Sequence, residues 1–421
     1  SGWLATGFFL NDEYFTLGGG GETTLNLPSL SWYYAPKKKP FEELLYDFTN
    51  IFDSLIKTHT KDKKIILPLS GGLDSRTLAA SLIGNRNVIA YSYEFSDGIE
   101  EIKYAKQIAE ICGWEFHSFT IPKGYLWKKI EEISLINECK TEFTHPRQMA
   151  VLEKVSDFGD IFLSGSMGDL LFDSFDTTHL IKKDPIELIK THILKPSGKE
   201  LASKFWNHSS LKDSFENYYN QKIEKQINKI NINNLSSVIR AYKSMYYVRN
   251  WTNVNMDFFS HFKEVYAPYH DNEMCNFVCN TPEKHLKNRK IQIEYIKSKA
   301  PKLAKIKWQK YNSDLYNYKK FNKSYIPKRI FKKSIRILKE KLLMQKAIVE
   351  RNWEIQFCGA ENEIKLEGYL FNNSSLNKIV PEHIIIEFYR KFKFKEPVKY
   401  SHSISMLLTL SIWSRKYFKN G

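Results

Sequence analysis

Ser70-Gly71-Gly72-Leu73-Asp74-Ser75 puts two hydroxyls, two glycines and a carboxylate within six residues. These types in this order suit an anion. Gly71 and Gly72 let the chain turn tightly and admit a guest where a Cβ would block it. Backbone N–H groups of such a loop point at the guest, and a helix start behind them adds its dipole. The Ser70 and Ser75 hydroxyls add donors, which completes a phosphate cradle. A carboxylate inside such a cradle repels phosphate unless a divalent cation lies between, so Asp74 predicts Mg2+. Neither Gly-x-x-x-x-Gly-Lys-Ser/Thr nor Gly-x-Gly-x-x-Gly occurs in the chain. That sets aside two common nucleotide loops.

The cradle needs a strand before it and a helix after it, and the sequence supplies both. "KIILPL" reads as a strand and "SRTLAASLI" as a helix. The alternation continues with "NVIAYSYEF", "EEIKYAKQIAEICG", "WEFHSFTI", "YLWKKIEEISLINE" and "GDIFLSGS". Strands separated by helices of this length predict an α/β fold with a doubly wound parallel sheet, whose ligands sit at the carboxyl ends of strands. Upstream, "FEELLYDFTNIFDSLIKTH" has apolar residues at helical spacing, and "TLGGGGETTLNLP" reads as a flexible loop leading into a strand. From about residue 180 the strand signals fade. Residues 181–320 read as mostly helical, and 380–419 as two further helices. Between 323 and 351 ten Lys/Arg face two Glu, read as a docked helix with a solvated basic face.

Bulk properties narrow the class. A chain of 421 residues exceeds one simple core. No apolar run reaches the length of a membrane span, and "SGWLATGFFLND" lacks the basic start and long apolar core of a signal peptide. Ser1-Gly2 reads as a cut end, leaving room for an upstream segment. The five cysteines are scattered and odd in number, which predicts reduced thiols and a cytoplasmic location. Cys275 and Cys279 read as buried thiols rather than a metal site. A net charge of +16 attracts polyanions, but the lysines are spread along the chain, so nucleic acid is admitted as a partner and not favoured.

The six-residue loop resembles the pyrophosphate-binding loop of the ATP pyrophosphatases. Three further stretches resemble one branch of them, the asparagine synthetase-like family. They are "FLSGSMGDLLFD" (162–173), "EVYAPYHDNEMCNFVCNTPEKHLKNRKIQIEYIK" (264–297) and "APKLAKIKWQKYNSD" (300–314). Order and spacing agree over roughly residues 40–315. The resemblance implies an adenine nucleotide α-hydrolase-like sheet with a mostly helical C-terminal part. It divides the chain into a linker or remnant of a glutaminase-like domain (1–40), an ATP-binding core (41–180), a helical part completing the site (181–320) and a basic helical extension (321–421).

The resemblance also implies roles. Ser70, Gly71, Gly72 and Ser75 would bind pyrophosphate, with Ser164 and Gly165 of a second loop. Asp74 and Asp169 would hold Mg2+. Leu69, Tyr91, Ser92 and Tyr93 would pass the adenine of ATP. Lys310 would be the catalytic cation beside the acyl-adenylate, with Lys307 a weaker competitor, and Asp271 would be structural. The pattern breaks on the acceptor side. The family's Gly-Glu-Gly becomes Gly165-Ser166-Met167, its Asp-Glu becomes Asp169-Leu170, and its Glu-Val-Arg becomes Glu264-Val265-Tyr266. Ser166 cannot manage a proton at neutral pH, which turns attention to Glu142, His145 and Arg147. No cysteine precedes Cys112, so the family's N-terminal glutaminase nucleophile is absent from the sequence. The resemblance therefore implies an ATP-dependent amide-forming ligase acting on a small-molecule or peptide carboxylate and an amine or ammonia. A separate glutaminase or peptide-delivery partner would serve it. A lasso-type peptide cyclase, a tRNA-modifying ATP pyrophosphatase and an inactive ATP-binding scaffold remain as alternatives.

Overall fold

Five short apolar runs become strands: β1 (Ile65–Pro68), β2 (Val88–Phe95), β3 (Glu115–Ile121), β4 (Ile161–Leu163) and β5 (Glu264–Tyr266). The computed structural model describes residues 2–10, 31–98, 102–173, 184–209, 211–318 and 349–417. The strands form one sheet in the order β3-β2-β1-β4-β5, and all four pairings are parallel. Ile65 stands opposite both Val88 of β2 and Ile161 of β4, so β1 is central. From β1 the chain winds outward through β2 and β3, then crosses back to β4. The order therefore reverses between β1 and β4, where ligands of such sheets sit.

Helices cover both faces, so the central strands are buried on both sides. The period-2 alternation sorts their side chains. Ile65, Leu67, Ile161 and Leu163 enter one core with Phe48, Phe52, Leu78 and Tyr295. Ile66 and Phe162 enter the other with Tyr91, Leu126, Phe258 and Leu407. In the first core the helix Phe41–His59 stacks Phe48 on Phe52 at 5.2 Å and sets Phe48 edge-on to Tyr295, also at 5.2 Å. The last two helices, Glu382–Phe394 and Pro397–Tyr417, close the second core. They tie to the chain's start, where His402 Nε2 lies 3.1 Å from the Leu4 carbonyl oxygen.

The alternation of strands and helices follows the sequence reading, and 184–318 is helical apart from β5, which was not expected. The helix Leu235–Tyr242 continues as a π-helical stretch, Lys243–Thr252, into the helix Asn253–Ser260. All five thiols are unpaired, and Cys139, Cys275 and Cys279 are buried. Among the described residues no helix is long and apolar enough to cross a membrane. The "TLGGGGETTLNLP" loop and almost all of the basic stretch 323–351 lie outside the described residues.

One buried group gives the fold a pH dependence. His270 closes the short helix Pro268–His270 and is 6% exposed, and its Nε2 has no partner among the described residues. Burial pulls its pKa from 6.5 down to about 4. Between those values the unfolded chain holds the extra proton, so this contribution to stability rises with pH. It is lost as pH falls from about 6.5 towards 4, and amounts to at most about 3 kcal/mol. Thermal midpoints measured across that window should fall on the acid side, with a flatter slope in H270N.

Candidate active site

The first loop closes on itself. Leu69 N–H still donates to the Tyr91 carbonyl of β2 at 2.8 Å. Ser70 N–H then donates to Ser75 Oγ at 3.1 Å, and Ser75 Oγ donates to the Ser70 carbonyl at 3.3 Å. Gly72 N–H donates to Ser70 Oγ at 3.2 Å. Gly72 starts the helix Leu73–Ser81 without a side-chain cap, which leaves its first-turn donors to a ligand or water. Gly71 is a true close approach: a Cβ there would stand 3.1 Å from Tyr104 Cβ and 3.2 Å from Gln309 Cβ.

The second loop follows β4 and lies against the first, as adjacent strands require. Ser164 N–H donates to the Tyr266 carbonyl at 2.8 Å, and Ser166 N–H donates to Ser164 Oγ at 3.2 Å. Met167 takes a left-handed φ of 74° to start the turn Gly168–Leu171. A Cβ on Gly165 would lie 3.1 Å from Asp74 Cβ. One on Gly168 would land on the Asp74 carboxylate and 2.9 Å from Tyr269 Cε2. G168A should therefore cost about 1–3 kcal/mol, the usual penalty of overpacking. It should also weaken nucleotide binding, which denaturant melts and ATP titration would measure side by side.

Asp74 has partners that the sequence did not reveal. Its Oδ1 accepts from the Arg289 guanidinium and, at 3.1 Å, from Gln292 Nε2. Arg289 Nε in turn donates to Gln292 Oε1 at 2.8 Å, and Gln292 Nε2 also reaches Tyr269 Oη at 3.0 Å. Two successive left-handed residues, Asn288 (φ 58°) and Arg289 (φ 60°), interrupt the helical chain there. Burial pulls the Arg289 pKa down to about 9. Asp74 Oδ2 has no protein partner among the described residues. Asp169 is exposed on the neighbouring loop and interacts electrostatically with Lys243 and Tyr247. Among the described residues no three His, Cys, Asp or Glu side chains cluster. The available oxygens fit a cation such as Mg2+, which takes one or two carboxylates and completes its shell with phosphate and water.

A buried arginine ties the turn that carries Lys310 to the first loop. Arg76 is fully buried, and its guanidinium donates to the carbonyls of Ile306 (2.9 Å), Lys307 (3.0 Å) and Gly71 (3.1 Å). Burial pulls its pKa down to about 10. This fork ties the first loop to the turn carrying Lys310. The turn is closed by Trp308 N–H to the Ser313 carbonyl at 2.7 Å and Asn312 N–H to the Trp308 carbonyl at 2.8 Å. Lys310 is exposed, with its Nζ 5.5 Å from the Tyr311 ring centre. Lys307 is exposed too, but its carbonyl is what Arg76 holds. Asp271 caps the helix Asn272–Cys279 by accepting from Glu273 N–H at 2.8 Å.

On β2 the expected adenine contacts differ in accessibility. Tyr91 is fully buried beside Phe119, 6.4 Å between ring centres, and burial raises its phenol pKa. Ser92 is buried and Tyr93 half-buried. Arg147 Nε donates to Tyr93 Oη at 3.4 Å, and the guanidinium lies 5.9 Å from the Tyr93 and Phe95 ring centres. Arg147 thus faces the end of β2. Glu142 and His145 face elsewhere, towards Lys195, His402 and the π-helical stretch.

The asparagine synthase family model matches residues 51–332, two-thirds of the chain and both loops with it. The chain belongs to the asparagine synthase family. No curated protein matches it. Membership supports an ATP-dependent amide-forming ligase of the asparagine synthetase type, with the carboxylate, the amine or ammonia donor and the general need for Mg2+ that this chemistry carries.

Proposed function

We propose that this chain adenylates a substrate carboxylate and passes the acyl group to an amine or ammonia, releasing AMP and pyrophosphate. The observation that carries it is the joining of three segments at the β1/β4 switch point. Gly165 and Gly168 press the second loop onto Asp74, and Arg76 fastens the Lys310 turn over Gly71. In this reading Ser70, Gly71, Gly72 and Ser75 hold the pyrophosphate, with Ser164 and Gly165, and the bonds that close the first loop on itself give way to phosphate oxygens. Asp74 and Asp169 would hold Mg2+, which when bound neutralises phosphate charge. Lys310 stabilises the negative charge that develops as AMP departs. Positioning and charge neutralisation do most of the work. Leu69, Ser92 and Tyr93 remain the candidates for the adenine edge, and Tyr91 contributes through its backbone.

The direct test is ATP–pyrophosphate exchange with aspartate, then with a panel of peptides and acidic metabolites. Exchange that depends on one carboxylate supports the reading and names the substrate class. Absence of exchange together with absence of Mg2+-dependent ATP binding overturns it.

A further inference from the structure

An amine that attacks an acyl-adenylate must lose protons, and Ser166 in the second loop cannot take them at neutral pH. A path of contacts leads from that loop to groups that can. Ser164 Oγ lies 3.6 Å from Met256 Sδ. The neighbouring Asn255 places its Oδ1 3.0 Å from His145 Nδ1 and donates from Nδ2 to the Trp251 carbonyl at 2.7 Å. A carbonyl can only accept, so the Trp251 bond fixes which end of the amide faces His145. Asn255 Oδ1 is therefore the acceptor, and His145 Nδ1 carries the proton. Its Nε2 lone pair is left without a protein partner among the described residues.

The surroundings are charged. Glu142 accepts from Thr144 Oγ1 at 3.0 Å. Burial opposes its ionisation, but His402, Lys195 and His145 outweigh that, so its pKa lies below the ordinary value. Burial, with Arg147 and Lys195, holds the His145 imidazole down at about 4 despite Glu142, so it is neutral at physiological pH. Lys195 Nζ sits 5.4 Å over the Trp251 ring, which packs 4.0 Å from His145. Tyr247 stacks on Trp251 at 4.9 Å and feels both Asp169 and Glu142. Lys243 feels Asp169 and Lys195. Glu142 and His145 are half-buried, which leaves part of each side chain open to a small guest.

We propose that this side-chain cluster is the amine site: the Glu142 carboxylate binds a primary ammonium or ammonia as its cation, and His145 Nε2 takes the protons that nitrogen sheds. This rests on the ligase reading above. The first proton passes from the ammonium to Nε2 and on to water, freeing the nitrogen lone pair. The C–N bond then forms. As the tetrahedral adduct collapses, the C–O bond to AMP breaks, AMP leaves with the electron pair, and the second proton follows the first. An acyl-adenylate phosphate brought close to His145 would be an opposite charge and would raise its basicity.

Two measurements on the full chain test this. With ring-15N histidine, the Nε2 resonance lost in H145Q should report an unprotonated Nε2 at pH 7. It should shift saturably on adding methylammonium chloride and not on adding potassium chloride. In E142Q, and less so in E142D, the apparent methylammonium affinity should fall about tenfold or more. A protonated Nε2, or a titration that E142Q leaves intact in a folded chain, overturns the proposal. With a carboxylate that supports exchange, amide formation from methylammonium should fall at least tenfold further than exchange in both E142Q and H145Q. Equal losses overturn the amine site while leaving the ligase reading in place. Wild-type protein that lacks both exchange and Mg2+-dependent ATP binding but shows the methylammonium shift overturns the ligase reading instead.

Discussion

D74A is expected to lower magnesium-dependent pyrophosphate exchange by about 10^2–10^3-fold or more, the scale set by removing one preorganised charge-stabilising group. It is also expected to destabilise the fold, for a separate reason. The Arg289 side chain is 10% exposed, and its ion pair is with Asp74. Removing the acid leaves a buried guanidinium without its counter-charge, which costs about 3–5 kcal/mol in fully buried pairs. The Asp74 side chain keeps 25% exposure, so the lower end, about 3 kcal/mol, is expected. The double variant D74A/R289M separates the two effects. It removes both charges and fills most of the arginine's volume, so denaturant melts should recover much of the stability while exchange stays low. D74N keeps an acceptor for Arg289 and Gln292 and should fall between in stability, with exchange still low. A D74A chain that binds ATP with unchanged magnesium dependence would remove Asp74 from the metal site and leave it a structural anchor.

What the sequence made legible follows from how local each signal is. β1, β2 and β4 are short apolar runs bounded by turns, and the two faces of β1 separate by simple alternation. β5 gave no such signal. It is three residues long with an exposed Glu264, and its place is set by pairing with β4 across about a hundred residues of intervening chain. The glycine loop was legible as chemistry because its residue types have few other uses together. Lys310 stood out through family resemblance alone among many lysines. Arg76 and Arg289 were not legible at all. Arg76 sits in "SRTLAAS" like any helix arginine, and its work depends on carbonyls 230 and 231 positions away. Arg289 finds Asp74 at a separation of 215. Glu142 and His145 came into view only because Ser166 left a proton unaccounted for, and the tautomer that gives His145 its role depends on Asn255, 110 residues on.

K310M and R76M should lose activity for different reasons. Lys310 is exposed at the tip of its turn, so K310M should leave stability within about 0.5 kcal/mol of the parent. Its turnover should fall about 10^2–10^3-fold, with exchange less affected, because its charge matters most as AMP departs. Arg76 touches no reacting atom in this arrangement and acts by position. Methionine can fill much of its buried volume, but the carbonyls of Gly71, Ile306 and Lys307 lose their shared donor. Unsatisfied buried acceptors cost about 1–3 kcal/mol each, so R76M should be strongly destabilised. The surviving folded protein should show a raised KM for ATP as well as a lower kcat, because the first loop and the Lys310 turn come apart together. R76K is the sharper probe. It keeps the charge and most of the length, but an ammonium lacks the planar fork that spans three carbonyls. If the fork is what fastens the turn, R76K should resemble R76M in kinetics while recovering part of its stability. An R76K enzyme with parental KM and kcat would mean that the packing of Gln309 and Tyr104 around Gly71 holds the turn without it.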